Sequence, residues 1–373
     1  MPSTQVANED WSVLLSFLPV GWEAKAKETG ALRRSRGFSD PQSLLRSLLV
    51  HLAEGCSLRE TAVRVSSSGL AKVSDVALWK RLRSSQEWFR WLAAGLLDKM
   101  GIIRRSSDWA GGYRIRIVDA TVVTEPGSTG TDWRLHYSVL LESLQCDFFE
   151  LTDAHGGETF SRFPIKRGDL ILGDRGYAKA PGVRYVAQSG GDLIVRLTIS
   201  NMPLRTPKGA PFSLLSHLRR LRSGSIGDWD AKLDGGSDGD VHVRVCGIKK
   251  SRQATEEARK KMRRIASKKG QKPSRAALAA AGYVFVLTTV PRARIAARQI
   301  LEIYRARWQI ELAFKRMKSI IGLGHLPKFD PDSSRAWIHG KLFVALLAET
   351  LVDAPKSFFP WGYPLENEKE QPR

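Results

Sequence analysis

The sequence predicts an α/β protein: a mixed sheet preceded by an all-helical N-terminal domain and interrupted by an inserted region. Three observations predict it. From 9 to 97 the chain looks helical throughout, with apolar residues at helical spacing, the pattern of helices that bury one stripe. Near residue 112 the texture changes to apolar–polar alternation, as in YRIRIVDATVV, which is how a half-buried strand reads. Between about 200 and 281 the composition loosens into turn-rich and basic stretches before strand and helix character return. A chain of 373 residues can bury a large core, or one core plus a smaller domain.

The helical segments mark their own starts. In DPQSLLRSLLVHLAEG, Asp40 is placed to cap and Pro41 to take the first helical position, where a missing N–H costs nothing. Ser57 followed by Glu60 is a capping-box pattern. Ser74 or Asp75 serves VSDVALWKRLR. The last two short helices flank a Ser/Gly turn and end in basic residues, an arrangement that resembles a helix-turn-helix. Three packed helices with a basic surface that meets no DNA read the same way.

After YRIRIVDATVV, the segments RLHYSVLLESL and CDFFELTD read as two more strands joined by short polar turns, an antiparallel meander. GDLILGDRGYA gives a compact apolar strand ending at Gly173 and Asp174, and LIVRLT gives another. Within the insertion, SGSIGDWDAKLDGGSDGD reads as turns and HVRVCGIK as a strand. The stretch from 249 to 275 has twelve basic residues, among them Lys260, Lys261, Arg263 and Arg264, against Glu256 and Glu257. It reads as a basic helix and loop lying along phosphates, or as a solvated charged face. YVFVLTTV returns to strand character, and a long helix is expected from about 294 to 321. The expected domains are a helical segment at 1–105, the first part of a core at 106–199, an inserted polar and basic region at 200–281, the last strand and helices of the core at 282–352, and a flexible tail at 353–373. The inserted region sits within a β-rich insertion of roughly 190–290.

Charge narrows the function. There are 59 Lys and Arg against 38 Asp and Glu, a formal net charge of +21, which favours a polyanionic partner, nucleic acid first. Cys56, Cys146 and Cys246 are far apart and form no CxxC pair, so a structural zinc site has no support, and so sparse a set suits a reducing cytosol. The start MPSTQVANEDW has no signal-peptide pattern. KLFVALLAETLV is apolar but contains Glu349 and is far too short for a bilayer; it reads as a core helix, and no membrane partner is expected.

Three acids fall in places that suit metal-assisted phosphoryl transfer, which needs carboxylates converging on divalent cations. In RIRIVDA, Asp119 shares a strand face with Ile115 and Ile117 by period two. Unpaired burial of an acid there is expensive, so that face has to open at Asp119, or the acid caps a strand end. In LILGDRGY, Asp174 follows an apolar strand and Gly173, which permits close approach of backbone or substrate, while Arg175 can contact phosphate or pair with Asp174. In YRARWQIELAFKRMK, Glu311 is the single acid among five bases. On one continuous helix Tyr304, Arg307, Glu311 and Lys318 project within an arc of about 60°, beside an apolar stripe that includes Ile303, Ile310, Phe314 and Met317. An i,i+4 ion pair accounts for Arg307 and Glu311 but not for Tyr304 and Lys318 on the same line. His136, His155, Glu125, Asp153 and Glu158 lie between or near the aspartates; the histidines read as structural, and the acids rank lower because they fall in turns or at strand ends.

Taken together, these motifs resemble those of the bacterial insertion-sequence transposases of the DDE superfamily, in the group with a tyrosine-arginine-glutamate-lysine signature. Here the signature is Tyr304, Arg307, Glu311 and Lys318, with two, three and six residues between them. DATVVTEPG around Asp119 and LILGDRGY around Asp174 look like the other two acidic regions, and the resemblance runs from about 40 to 350. It implies a ribonuclease H-like core with a β-rich insertion, in which Asp119, Asp174 and Glu311 bind two Mg²⁺ ions, with Mn²⁺ able to substitute. It further implies that Tyr304, Arg307 and Lys318 contact DNA phosphates near the cleaved end, and that the N-terminal helices help bind terminal inverted repeats. The expected partners are double-stranded DNA, as transposon ends and target, and a second copy of the chain in a synaptic dimer, in the bacterial cytoplasm at the nucleoid. The implied reaction cuts at the transposon ends, by way of a hairpin intermediate, and joins the 3′ ends to target DNA. Some members stack a flipped base on a tryptophan just before the last strand of the insertion. This chain has none there; Tyr283 is the nearest aromatic, and Trp229 is a second candidate. Three rivals are a ribonuclease H-like nuclease that does not join, a catalytically inactive or regulatory DNA-binding relative, and a basic RNA-associated structural protein.

Overall fold

The computed structural model describes residues 11–35, 37–99, 111–199, 202–222, 224–234, 239–327 and 330–357. The boundary expected at 105 lies outside the described residues; of the flexible tail expected at 353–373, residues 353–357 instead continue the last helix, and the rest lies outside the described residues. The chain falls into two compact units. One comprises Met1–Ile102, Val122–Trp133 and Phe314–Arg373, and the other Ile103–Thr121 and Arg134–Ala313.

The N-terminal part is helical, with helices α1 (Trp22–Glu28), α2 (Pro41–Glu54), α3 (Leu58–Ser67), α4 (Asp75–Ser84) and α5 (Gln86–Lys99). The expected caps are present. Asp40 accepts from the Ser43 N–H at 2.7 Å with Pro41 at the first helical position. Ser57 accepts from the Glu60 N–H at 3.1 Å, and Ser74, rather than Asp75, accepts from the Ala77 N–H at 3.2 Å. Each satisfies a donor that the helix start leaves free.

The second architectural feature is a nine-stranded sheet with strand order β3-β2-β1-β4-β5-β9-β8-β7-β6. The strands are β1 (Arg114–Val123), β2 (Trp133–Leu140), β3 (Cys146–Asp153), β4 (Asp169–Gly173), β5 (Asp192–Arg196), β6 (Leu204–Arg205), β7 (Ile226–Leu233), β8 (Val241–Lys249) and β9 (Tyr283–Thr288). β4 runs parallel to β1, and β5 parallel to β4. This is a ribonuclease H-like core, and its central strands are buried on nearly every residue, as parallel strands are. Parallel neighbours require a crossover, supplied between β4 and β5 by α6 (Ala180–Gln188). A buried ion-pair cluster, Arg114 and Arg116 with Asp169 and Arg116 with Asp147, ties β1 to β3 and β4.

The insertion leaves after β5 and continues the same sheet through antiparallel β6 to β9. It also carries α7 (Leu214–Arg219), α8 (Arg252–Lys268) and α9 (Arg275–Ala280). Two expectations change here. SGSIGDWDAKL, read as turns, contains β7, because Ala231 and Leu233 bury on one face while the intervening acids and lysine stay accessible. The long helix expected from 294 to 321 is two helices, α10 (Ala297–Arg305) and α11 (Trp308–Ser319), followed by α12 (Pro331–Ser357). At the break the Ala306 and Arg307 N–H groups donate to Ile303 and Tyr304 at 3.0 and 3.1 Å, i→i−3 bonds that tighten and end a helix. No Gly or Pro marks the place.

Candidate active site

The pairing of β1 with β4 sets the site. Ile117 lies opposite Leu172, and the same register carried two residues on brings Asp119 beside Asp174, past the last residue of β4. Asp119 accepts from the Ala120 N–H at 2.8 Å. Asp174 caps a short 3-10 turn (Arg175–Tyr177) and accepts from the Gly176 N–H at 2.7 Å. Burial, and then the Asp174 and Glu158 carboxylates, push Asp119 up to about 7 against the opposing pull of the Ala120 N–H and Arg307. Gly173, expected to permit close approach of backbone or substrate, is instead approached by core side chains. A Cβ there would meet Phe160 and Tyr177 side-chain atoms at 2.8–3.0 Å, so this glycine admits core aromatics.

Arg307 is the hub between the aspartates and the helix. Its guanidinium lies 3.7 Å from the Asp119 carboxylate and pairs with Glu311. Glu311 is linked to Asp119 through that cation, and its side chain is 58% exposed. Tyr304 is buried near the end of α10, with its phenol pushed up to about 12 chiefly by burial. The helix is not continuous, yet Tyr304, Arg307 and Glu311 remain neighbours: Tyr304 is buried beside Arg307, Arg307 sits at the break, and Glu311 and Lys318 are exposed on α11. Around Tyr304 and Asp174 the positive charges gather. Burial lowers Arg196, and Arg175 and Arg307 press it further down while Tyr304 and Asp174 oppose them. Arg175 itself is exposed.

Among the described residues no group of three His, Cys, Asp or Glu side chains is arranged to hold a metal ion. Asp119, Asp174 and Glu158 nonetheless lie within Coulombic reach of one another, and Tyr177 buries a hydroxyl with no hydrogen-bond partner within reach of all three. Such hard oxygen donors suit Mg²⁺ or Mn²⁺. Glu158 was ranked low from sequence because it sits in a turn. The signal was its setting, an acid after Gly156 and Gly157 and just before Phe160 and Phe163, both fully buried.

The remaining candidates separate by environment. His136 is buried, bonds Thr152 at 3.0 Å, and is pushed down to about 4, first by burial and then by Arg162 and Arg134; it is a neutral structural residue. His155 is exposed, Asp153 accepts from its N–H at 2.9 Å, and Glu125 accepts from the Trp133 indole. Tyr283 is 8% exposed in the core, so its ring offers no open face. Trp229 is half-buried, edge-on to His217 at 5.5 Å. Lys260, Lys261, Arg263 and Arg264 are exposed on α8, which buries no residue.

Residues 110–347 match the protein family described as the transposase DDE domain. The chain is 32% identical over 364 residues to the transposase for insertion sequence element IS421 of Escherichia coli, covering 95% of this chain and 97% of that protein. It is equally similar, at 32% over 363 residues and with the same coverage, to InsL of insertion sequence element IS186A from Escherichia coli strain K12. The transposase for IS231B of Bacillus thuringiensis subsp. berliner is 24% identical over 371 residues, covering 88% of this chain and 76% of that one. A cryo-EM structure of the piggyBac transposase synaptic complex with hairpin DNA is similar over 91% of this chain and 73% of that chain, at 9% identity and a TM-score of 0.43, a likeness too weak to bear on fold or mechanism.

Proposed function

This chain belongs to the DDE transposases of bacterial insertion sequences, and we propose that it cuts DNA at the terminal inverted repeats of its own element and joins the freed 3′ ends to target DNA. The observation that carries this is the adjacency of Asp119, within β1, to Asp174, just past the end of the parallel strand β4, with Arg307 linking Asp119 to Glu311. Asp119, Asp174 and Glu311 would hold two Mg²⁺ ions, which when bound supply activation of the attacking oxygen and stabilisation of the leaving 3′ oxygen. Among the described residues no helix is long and apolar enough to cross a membrane. The acting species is a synaptic homodimer on chromosomal DNA in the bacterial cytoplasm.

The chain's own residues do the positioning. Arg175 and Lys318 are exposed cations free to bind phosphate oxygens. Arg307 exchanges its carboxylates for a DNA phosphate, which releases Glu311 to act with Asp119. Tyr304, packed below Arg307, fixes where the guanidinium stands. Water attacks the phosphodiester at the element end and leaves a 3′ hydroxyl. That hydroxyl attacks the opposite strand to give a hairpin, water reopens the hairpin, and the hydroxyl finally attacks target DNA. Every step exchanges one phosphoester oxygen for another, so no covalent enzyme intermediate is required.

The test incubates the purified protein with linear DNA carrying the element ends and Mg²⁺ or Mn²⁺. Asp119→Asn, Asp174→Asn and Glu311→Gln are each expected to lose cleavage by at least about a thousandfold, the scale of losing a main electrostatic contribution. Full cleavage by these variants sinks the assignment. Cleavage without joined products from the unaltered chain would instead identify a nuclease that cuts only.

A further inference from the structure

We propose that Glu158 is a further carboxylate of the catalytic metal site, giving an oxygen to a divalent cation held with Asp119 and Asp174. The proposal deepens the reading above and rests on it. Its first support is steric. A Cβ on Gly176 would stand 2.1 Å from Glu158 Oε2 and 3.0 Å from Asp174 Oδ1. Two carboxylates from different segments therefore converge across the one residue that has no side chain to separate them. Any larger residue at 176 would push Glu158 away.

The second support is how firmly Glu158 is held. Its backbone carbonyl accepts from Lys179 Nζ at 2.9 Å. The next residue, Thr159, caps the 3-10 turn Phe160–Arg162, and Phe160 and Phe163 anchor that turn in the core, with Phe160 against Tyr177 at 5.2 Å between ring centroids. The backbone is pinned, yet among the described residues the carboxylate itself accepts no hydrogen bond and forms no ion pair. Arg134 and Lys179 partly offset its charge, but neither pairs with the carboxylate, and a half-buried acid facing another acid is costly to hold ionised.

The third support is independent of the acids. Tyr177 is fully buried and its hydroxyl has no partner. Asp119, Glu158 and Asp174 all lie within Coulombic reach of that hydroxyl, as does Arg134. A buried hydroxyl beside three carboxylates, with no protein partner, suits the margin of a site where an oxygen on a bound cation would complete its hydrogen bonding. Glu158 also explains why the acids lie as they do: it approaches from the connector between β3 and β4, on the Asp174 side, whereas Glu311 approaches through Arg307.

The experiment measures metal binding by the full chain without DNA, by titration calorimetry with Mn²⁺ and by tyrosine-sensitised Tb³⁺ luminescence. Glu158→Gln is expected to weaken Mn²⁺ binding at least roughly tenfold, with Glu158→Asp between it and the unaltered chain and with melting temperature preserved. In end-cleavage assays Glu158→Gln should need correspondingly more Mn²⁺ and recover at saturation. If Glu158→Gln binds Mn²⁺ normally while Asp119→Asn does not, Glu158 is no ligand and the two-aspartate reading stands. A fall in melting temperature with intact Mn²⁺ affinity likewise overturns it, leaving a structural residue. If Asp119→Asn and Asp174→Asn also bind normally, or the unaltered chain shows no saturable site, the reading beneath the proposal fails with it.

Discussion

Asp119 carries a charge that its surroundings resist. Its ordinary value of 3.8 rises to about 7, through burial foremost. A carboxylate raised in the folded state costs stability once it must ionise: the penalty is absent below about pH 4, grows as pH rises toward 7, and is complete above. Three pKa units set a ceiling of about 4 kcal/mol, and structural relaxation should leave on the order of 1–2. Metal-free Asp119→Asn should therefore melt higher than the unaltered chain at pH 8 and equally at pH 4. Adding Mn²⁺ should stabilise the unaltered chain and not the variant. Equal melting at both pH values would mean that the lost bond from the Ala120 N–H matters more than charge. At this scale the sequence showed much. Period-two placement exposed Asp119, and the apolar run before Asp174 exposed its partner. Glu158 stayed hidden because a turn has no periodicity, and its importance comes from Gly176 and Tyr177 more than fifteen residues away.

Elements are where local reading succeeded or failed for physical reasons. Alternation and apolar runs revealed seven of the nine strands, all but β6 and β7, because each has a buried face, but nothing local reveals that β5 pairs with β4 in parallel or with β9 in antiparallel fashion. The break between α10 and α11 was invisible because the i→i−3 bonds at Ala306 and Arg307 need neither Gly nor Pro. At that break Tyr304 is buried and Arg307 stands 3.7 Å from Asp119. The position of the break depends on the insertion. Arg244 of β8 bonds Asp228 of β7 at 2.8 and 3.0 Å and also donates to the Val290 and Ile295 carbonyls at 2.9 and 3.0 Å, in the segment that leads into α10. Arg244 is 5% exposed, and its removal strands the Val290 and Ile295 carbonyls, while Asp228 keeps Arg292 at 2.8 Å. Arg244→Ala is expected to cost about 2–3 kcal/mol in denaturant unfolding and to reduce cleavage in parallel. A loss under about 1 kcal/mol would show that the segment before α10 is held by packing alone.

For the whole molecule the dominant quantity is its net charge of +21. That excess could serve general solubility or a specific track for DNA, and α8 separates the two. It buries no residue, so Lys260, Lys261, Arg263 and Arg264 have no packing to maintain, and changing all four to Gln should move stability by less than about 0.5 kcal/mol per site. If they lie along phosphates, each contact releases a counterion, and the slope of log affinity against log salt should flatten by up to about 0.9 per residue, roughly 3 to 4 in all. The loss should be alike on element ends and on unrelated duplex, because phosphate contacts position DNA without reading its sequence. Mn²⁺ affinity should not change, since α8 supplies no ligand. Fluorescence anisotropy across a salt series measures this directly. An unchanged slope would make α8 a solvated face, and the phosphate contacts would then have to come from other cations, Arg175, Arg307 and Lys318 among them.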